Sequence, residues 1–256
     1  MLLLIDAGNT RIKWGVPRNA AFTPTQLDRW LHAGSADRSD VAGLPAAWRA
    51  LPITRVVVSN VAGPALGEAL TLALREAFSE RIAVTWFTSR AALAGLRNRY
   101  KQPLQLGCDR FASAIGAHAL FPTRALLVVT CGTATTADAV TADGEFIGGM
   151  ILPGLGVMAA SLALNTAQLP QIQAIGEIPG PFADNTTDAI IAGCISAQTG
   201  AIERAVAAHR DLHGEVLCVL SGGAGPFLAS YLAIPCEKIK RVDNLVLIGL
   251  HAATSD

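Results

Sequence analysis

The sequence predicts an α/β protein built from two related lobes, and three observations carry that prediction. An apolar strand running into a small-residue turn occurs twice, at Leu2–Lys13 and again, 124 residues on, at Leu126–Asp138. Strand-like and helix-like stretches alternate in both halves, the order that yields parallel strand pairs joined by crossover helices. Hydrophobic residues make up 51% of the 256 residues and charged ones 16%, enough for a large buried core and unlike a disordered chain.

Leu2–Asp6 and Ile12–Val16 are expected as two strands joined by the first turn. Residues 17–50 are polar and irregular, with Pro17, Pro24 and Pro45, and are expected to hold short helices. Ile53–Val61 is rich in β-branched residues and predicts a buried strand. Pro64 then opens a helix running to Phe78, at a position proline favours, and Ile82–Phe87 is a further strand. Residues 98–107 are expected as a loop, and small and apolar residues at helical spacing follow over Asp109–Leu120. Pro122 ends that helix, so residues 1–122 and 123–256 are the expected lobes. The second lobe restarts with strands at 126–130, 133–140 and 145–151, with a hairpin turn at Asp143-Gly144. Helical patterns at 155–164, 186–209 and 224–232, a strand at 215–220 and a closing helix over Val242–Ala253 complete it.

Bulk charge narrows the function. The net charge is zero, so nothing global points to nucleic acid. The halves differ: residues 1–125 hold 15 basic and 8 acidic residues, a net +7, and residues 126–256 hold 5 and 12, a net −7. That asymmetry fits compositional drift, a basic lobe that receives a polyanion, or the pairing of unlike lobes between subunits. The five cysteines (108, 131, 194, 218 and 236) show no Cys-x-x-Cys or metal spacing, as expected of buried thiols in a reducing compartment. Met1–Ile5 is too short for a signal core, and the apolar run 148–164 is interrupted by Pro153 and four glycines, so a soluble cytoplasmic protein without a membrane span is expected.

The first turn reads Asp6-Ala7-Gly8-Asn9-Thr10-Arg11-Ile12-Lys13. Gly8 permits close backbone approach, Asn9 and Thr10 can donate to phosphate oxygens, and Lys13 adds a full charge. Asp6 ends an apolar strand, a costly place for a carboxylate without a partner. An ordinary hairpin with an Asn-Thr turn is the plainer alternative. The segment is neither a Walker A loop nor a dinucleotide fingerprint. The second turn, Thr130-Cys131-Gly132-Thr133-Ala134-Thr135-Thr136-Ala137-Asp138, is its counterpart. Its threonines also suit plain β propensity, and Asp138 could hold the water of a cation or face solvent. Two such turns suggest a nucleoside triphosphate held between the lobes. Gly107-Cys108-Asp109-Arg110 opens a helix, where an aspartate is favoured anyway; its functional reading is a carboxylate that takes a proton from a hydroxyl nucleophile, beside a guanidinium for phosphate or a substrate carboxylate. Ser221-Gly222-Gly223 fits either contact with adenosine or a tight strand-to-helix connection, and the five histidines have no ligand spacing.

Taken in order, these segments resemble type III pantothenate kinase. The matching residues are Asp6-x-Gly-Asn-Thr-x-x-Lys13, then Asn98-x-Tyr100-x-x-Pro103-x-x-Leu106-Gly107-x-Asp109-Arg110, then Gly132-Thr133-Ala134-x-Thr136-x-Asp138. Gly148-Gly149-x-Ile151-x-Pro153-Gly154, Asn185-Thr186 with Ala189-Ile190 and Gly193, and Ser221-Gly222-Gly223 extend the match. The resemblance implies two ribonuclease-H-like lobes of the acetate kinase, sugar kinase, Hsp70 and actin type around a nucleotide cleft. It further implies a homodimer, ATP with Mg²⁺, and phosphorylation of pantothenate, the first step of coenzyme A biosynthesis. Asp109 matches the catalytic carboxylate, residues 6–13 and Thr133 the ATP site, and Tyr100, Gly107–Arg110 and Thr186 the substrate contacts. One position departs: where the family often has an aspartate that binds K⁺ or NH₄⁺, this chain has Thr130, so a weakened cation requirement is expected. A transcription accessory protein on the same fold, or another small-molecule phosphotransferase, are the alternatives; no helix–turn–helix signature supports direct DNA reading.

Overall fold

The computed structural model describes residues 1–26, 28–78, 82–172, 175–178 and 180–255. The chain packs as two units: Met1–Thr123 with Gly144–Phe146 and Asn244–Asp256, and Arg124–Asp143 with Ile147–Asp243.

The first unit opens with a hairpin of β1 (Leu2–Ala7) and β2 (Arg11–Pro17). β3 (Trp30–Asp37) pairs antiparallel with β2 at the sheet edge. This eight-residue strand lies where short helices were expected. Its residues are partly or fully exposed, so it shows no apolar alternation, and sequences such as Ala33-Gly34-Ser35 carry no strand signal of their own. The short α1 (Leu44–Trp48) precedes β4 (Arg55–Asn60), which lies parallel to β1. The crossover helix α2 (Pro64–Phe78) leads to β5 (Ala83–Trp86), parallel to β4. The sheet order is β3-β2-β1-β4-β5.

β1 and β4 are continuous apolar runs because both faces of the sheet are covered: Leu3, Leu4, Ile5, Val56, Val57 and Val58 are all essentially inaccessible. Leu3, Ile5, Val56 and Val58 join Leu66, Leu70 and Leu74 of α2 in one core. Trp48 closes it, edge-on to Trp14 and stacked on Phe78, each at 6.4 Å between centroids. A two-strand excursion, β6 (Ala92–Leu93) and β7 (Leu96–Asn98), then leads through a loop into α3 (Cys108–Leu120).

The second unit repeats the plan. β8 (Ala125–Cys131) and β9 (Ala134–Val140) form an antiparallel pair, followed by β10 (Glu145–Pro153), whose first two residues belong to the first unit. Helices α4 (Leu155–Asn165) and α5 (Thr186–His213) precede β11 (Val216–Ser221), parallel to β8. The short α6 (Gly225–Ala229) leads to β12 (Ile239–Arg241), parallel to β11. The order β10-β9-β8-β11-β12 is the first sheet's order, strand for strand. The duplication seen in outline in the sequence is therefore a duplication of topology.

The closing helix α7 (Leu245–Thr254) belongs to the first unit, not to the second as a single cut after residue 122 would have it. The reason is steric and apolar. α7 is buried from Leu245 to Ala252, and it crosses α3 at a glycine pair. A Cβ on Gly249 would fall 1.7 Å from the Ala112 carbonyl oxygen, and one on Gly116 would fall 2.8 Å from that of Leu245. Backbone meets backbone there, so only glycine allows the crossing. No helix among the described residues is long and apolar enough to cross a membrane.

Candidate active site

The first unit gathers most of the expected site residues at the C-terminal ends of β1 and β4 and the start of α3. The turn after β1 is closed by the Gly8 N–H donating to the Arg11 carbonyl at 3.0 Å, which leaves Asn9 and Thr10 exposed at its tip. Asp6 and Lys13 face each other across the hairpin, and on the other side Asp6 is in register with Ser59 of β4. An open depression of about 630 Å³ beside the turn is lined by Asn9, Thr10, Asp37, Arg38 and Ser39. Arg38 and Ser39 belong to the segment that gave no motif, and only folding brings them to the turn.

Asp6 is a carboxylate under strain. Burial, and then the negative charge of Asp109, push its pKa from 3.8 to about 7, and Lys13 offsets only part of this. Asp109 lies in the first turn of α3, where its Oδ1 accepts the Arg110 N–H at 2.8 Å. Burial raises its pKa too, opposed by that hydrogen bond and by the Arg110 charge. Gly107 makes the arrangement possible, since a Cβ there would sit 2.7 Å from Asp109 Oδ1. Cys108, between them, points inward: its Sγ lies 3.3 Å from Ser59 Oγ and 3.6 Å from the Asn60 carbonyl, and burial raises its pKa. It ties the start of α3 to the end of β4. Ser59 and Asn60 were not singled out in the sequence, although two polar residues ending the run Val56-Val57-Val58 were a usable signal.

Arg110 is buried and donates from Nη1 to the Tyr100 hydroxyl at 3.0 Å. The loop bearing Tyr100 is built on Asn98, whose side chain accepts the Tyr100 N–H at 3.0 Å and donates to the Pro103 carbonyl at 3.1 Å. That explains the Asn98-x-Tyr100-x-x-Pro103 spacing in structural terms.

The second turn occupies the corresponding place in the second unit. Gly132 N–H donates to Ala134, Gly154 N–H to Thr133 and Ala224 N–H to Cys131, at 2.9–3.1 Å. Gly154 and Gly222 press on this turn so closely that a Cβ on either would fall within 2.3 Å of its carbonyl oxygens. Gly222 thus serves the tight connection, while nothing lies within 4 Å of a Cβ built on Gly223. Thr133 is exposed at the tip, and Thr186 is the first residue of α5, after the Asn185 cap. Thr130 stands where Asp6 does in the first unit, in register with Thr136 on one side and Ser221 on the other. Asp138 is 1% exposed, so it does not face solvent.

A carboxylate of raised basicity at a helix start, beside a polar turn with a lysine, is an arrangement for moving a phosphoryl group onto a hydroxyl. The model of the type III pantothenate kinase family matches residues 2–208. The chain belongs to the type III pantothenate kinase family. It is 56% identical over 253 residues to the type III pantothenate kinase of Herminiimonas arsenicoxydans, covering 98% of this chain and 96% of that one. The type III pantothenate kinase of Janthinobacterium sp. is likewise 56% identical, with the same coverage. Among solved structures, a conserved Baf family transcriptional activator from Campylobacter jejuni superposes with a TM-score of 0.59 at 20% identity, over 97% of this chain and 94% of that one. Acetate kinase from Porphyromonas gingivalis superposes with a TM-score of 0.50 at 10% identity, over 98% of both chains. At these identities the likeness is one of fold: two ribonuclease-H-like units of the acetate and sugar kinase type.

Proposed function

We propose that the chain transfers the γ-phosphoryl group of ATP to the primary hydroxyl of pantothenate, giving ADP and 4′-phosphopantothenate, with Asp109 as the base. The observation that carries this reading is the position of Asp109: half-buried, in the first turn of α3, and close enough to Asp6 for its charge to act there. The acceptor oxygen–phosphorus bond forms as the β–γ bridge breaks, ADP departs, and the hydroxyl proton passes to the Asp109 carboxylate. Raised basicity suits Asp109 to that proton, while Lys13 and the exposed turn tip at Asn9 and Thr10 balance phosphate charge. In this reading Thr133 contacts the nucleotide, and Tyr100, Gly107, Arg110 and Thr186 contact the acceptor.

A divalent ion fits the residues present. Asp6 is a half-buried carboxylate opposite Lys13, and the charge of a second carboxylate, Asp109, acts on it. Asp6 would hold Mg²⁺ at the ATP phosphates, where the ion supplies charge neutralisation when bound. A monovalent cation, K⁺ or NH₄⁺, is a weaker requirement here, because Thr130, Thr136 and Ser221 offer neutral oxygens. Exposed apolar side chains on β10 and α4, Ile151, Val157 and Leu164 at 64%, 44% and 83%, support a homodimer. Five free cysteines support a cytoplasmic location.

The test is ADP release with and without pantothenate, wild type beside Asp109→Asn. Pantothenate-dependent release by the wild type alone is expected. Release that ignores pantothenate removes the acceptor assignment, and equal turnover in both proteins removes Asp109 from its role.

A further inference from the structure

Arg110 carries a full charge in a nearly closed setting, 7% exposed. Its guanidinium carbon lies 5.8 Å from the centroid of the Tyr100 ring and 5.9 Å from that of Phe146. The two rings meet edge to face, 5.8 Å apart at 64°, and so form a corner around the cation. Both distances lie within the reach of cation–π attraction, which strengthens when the pair is removed from water. Phe146 is fully buried and belongs to no motif read from the sequence. One strand contact delivers both rings: Phe146 is in parallel register with Asn98, whose side chain fixes Tyr100, and the Arg99 N–H donates to the Phe146 carbonyl at 3.0 Å. The phosphate-binding turn has its own cation in Lys13, opposite Asp6. On the function reading, Arg110, set at the aromatic corner and hydrogen-bonded to the Tyr100 hydroxyl, serves the acceptor's carboxylate.

We propose that Phe146 is a positioning residue for acceptor recognition: with Tyr100 it holds the Arg110 guanidinium in one orientation, ready for the carboxylate of the acceptor. The proposal rests on the reading of the chain as a pantothenate kinase. A guanidinium fixed before binding loses less freedom when the anion arrives, so bracing it strengthens binding of the acid without touching the transfer step. An aliphatic residue of similar size fills the space but offers no negative ring face.

Phe146→Leu and Phe146→Tyr test this, with KM for pantothenate and for ATP, kcat, and turnover of the alcohol analogue in which the carboxylate is replaced by CH₂OH. Phe146→Leu is expected to raise KM for pantothenate about 5- to 30-fold, the range that losing such an interaction gives. KM for ATP and kcat should stay within about threefold. The preference for the acid over the alcohol should shrink by the same factor as KM rises, and Phe146→Tyr should restore most of both. Packing loss alone would lower kcat or raise both KM values, leave the acid-to-alcohol preference intact, and overturn the proposal. If Phe146→Leu does not fold, Phe146→Met replaces it; a wild-type acid-to-alcohol preference retained there, or lost in Phe146→Tyr, also overturns it. Failure of the wild type to turn over pantothenate is a separate outcome, which overturns the function reading and this proposal with it.

Discussion

Replacing Asp6 with Asn should make the nucleotide-free protein more stable and the enzyme nearly inactive. In the unfolded chain Asp6 ionises near its ordinary value of 3.8, and in the fold near 7. Between those values the native state keeps a proton the unfolded chain has released, so stability falls as pH rises through that window, and above about 7 the full cost is present. The interval corresponds to about 4 kcal/mol as an upper bound. Asparagine has the same shape and no charge, but it loses the attraction to Lys13 and brings an amide that needs partners, so a gain of about 2 kcal/mol at pH 8 is expected. At pH 4 the two proteins should be nearly equal. Urea unfolding in EDTA without nucleotide, at both pH values, reads the difference directly. A variant less stable than wild type at pH 8, or one whose stability changes equally with pH, would refute the view of Asp6 as a carboxylate held against its own preference. The accompanying loss of ATP turnover separates a site residue from a merely unfavourable one.

Asp109→Asn should lower kcat by about 10²- to 10⁴-fold, the usual contribution of a positioned base, with the melting temperature little changed. Gly249→Ala, whose Cβ would collide with the Ala112 carbonyl, should cost about 3 kcal/mol or more and detach α7 from α3, visible as lowered amide protection in both helices. Thr130→Asp should create a K⁺-dependent thermal stabilisation and sharpen K⁺ dependence of turnover, while the wild type keeps substantial activity in a K⁺-free buffer; strict K⁺ dependence of the wild type would sink this.

Much of this architecture was legible because it rests on short-range physics. Continuous apolar strands, a proline at the start of α2, and turns rich in Gly, Asn and Thr specify themselves within a few residues. The same holds for Asp6, Lys13 and Asp109, whose charges stand out against apolar or small neighbours. What escaped was set by distant contacts. β3 is an exposed edge whose only reason to be extended is β2 beside it. α7 reads as a plain apolar helix, and its unit is decided by the Gly116–Gly249 crossing. Phe146 looks like any strand phenylalanine until the register with Asn98 sets it against Arg110. Arg38 reaches the first turn only because β3 exists.

The two turns share a position in the five-strand order common to both sheets, the second of which extends to seven strands through β7 and β6, and yet their chemistry differs in a coordinated way. In the first, Asp6 stands opposite Lys13; in the second, Thr130 stands opposite Thr136. Acid and base are thus both present or both absent. An aspartate alone at the second position would meet the desolvation that burial imposes on Asp6 with no lysine to offset any of it, and a lysine alone would face a neutral threonine. The second turn therefore keeps the backbone N–H groups and hydroxyls that suit a phosphate while shedding both charges. Thr130 is then not an isolated departure but half of a matched replacement. On that argument Thr130→Asp should lower stability in the absence of K⁺, and the double change Thr130→Asp with Thr136→Lys should recover it, whatever the salt.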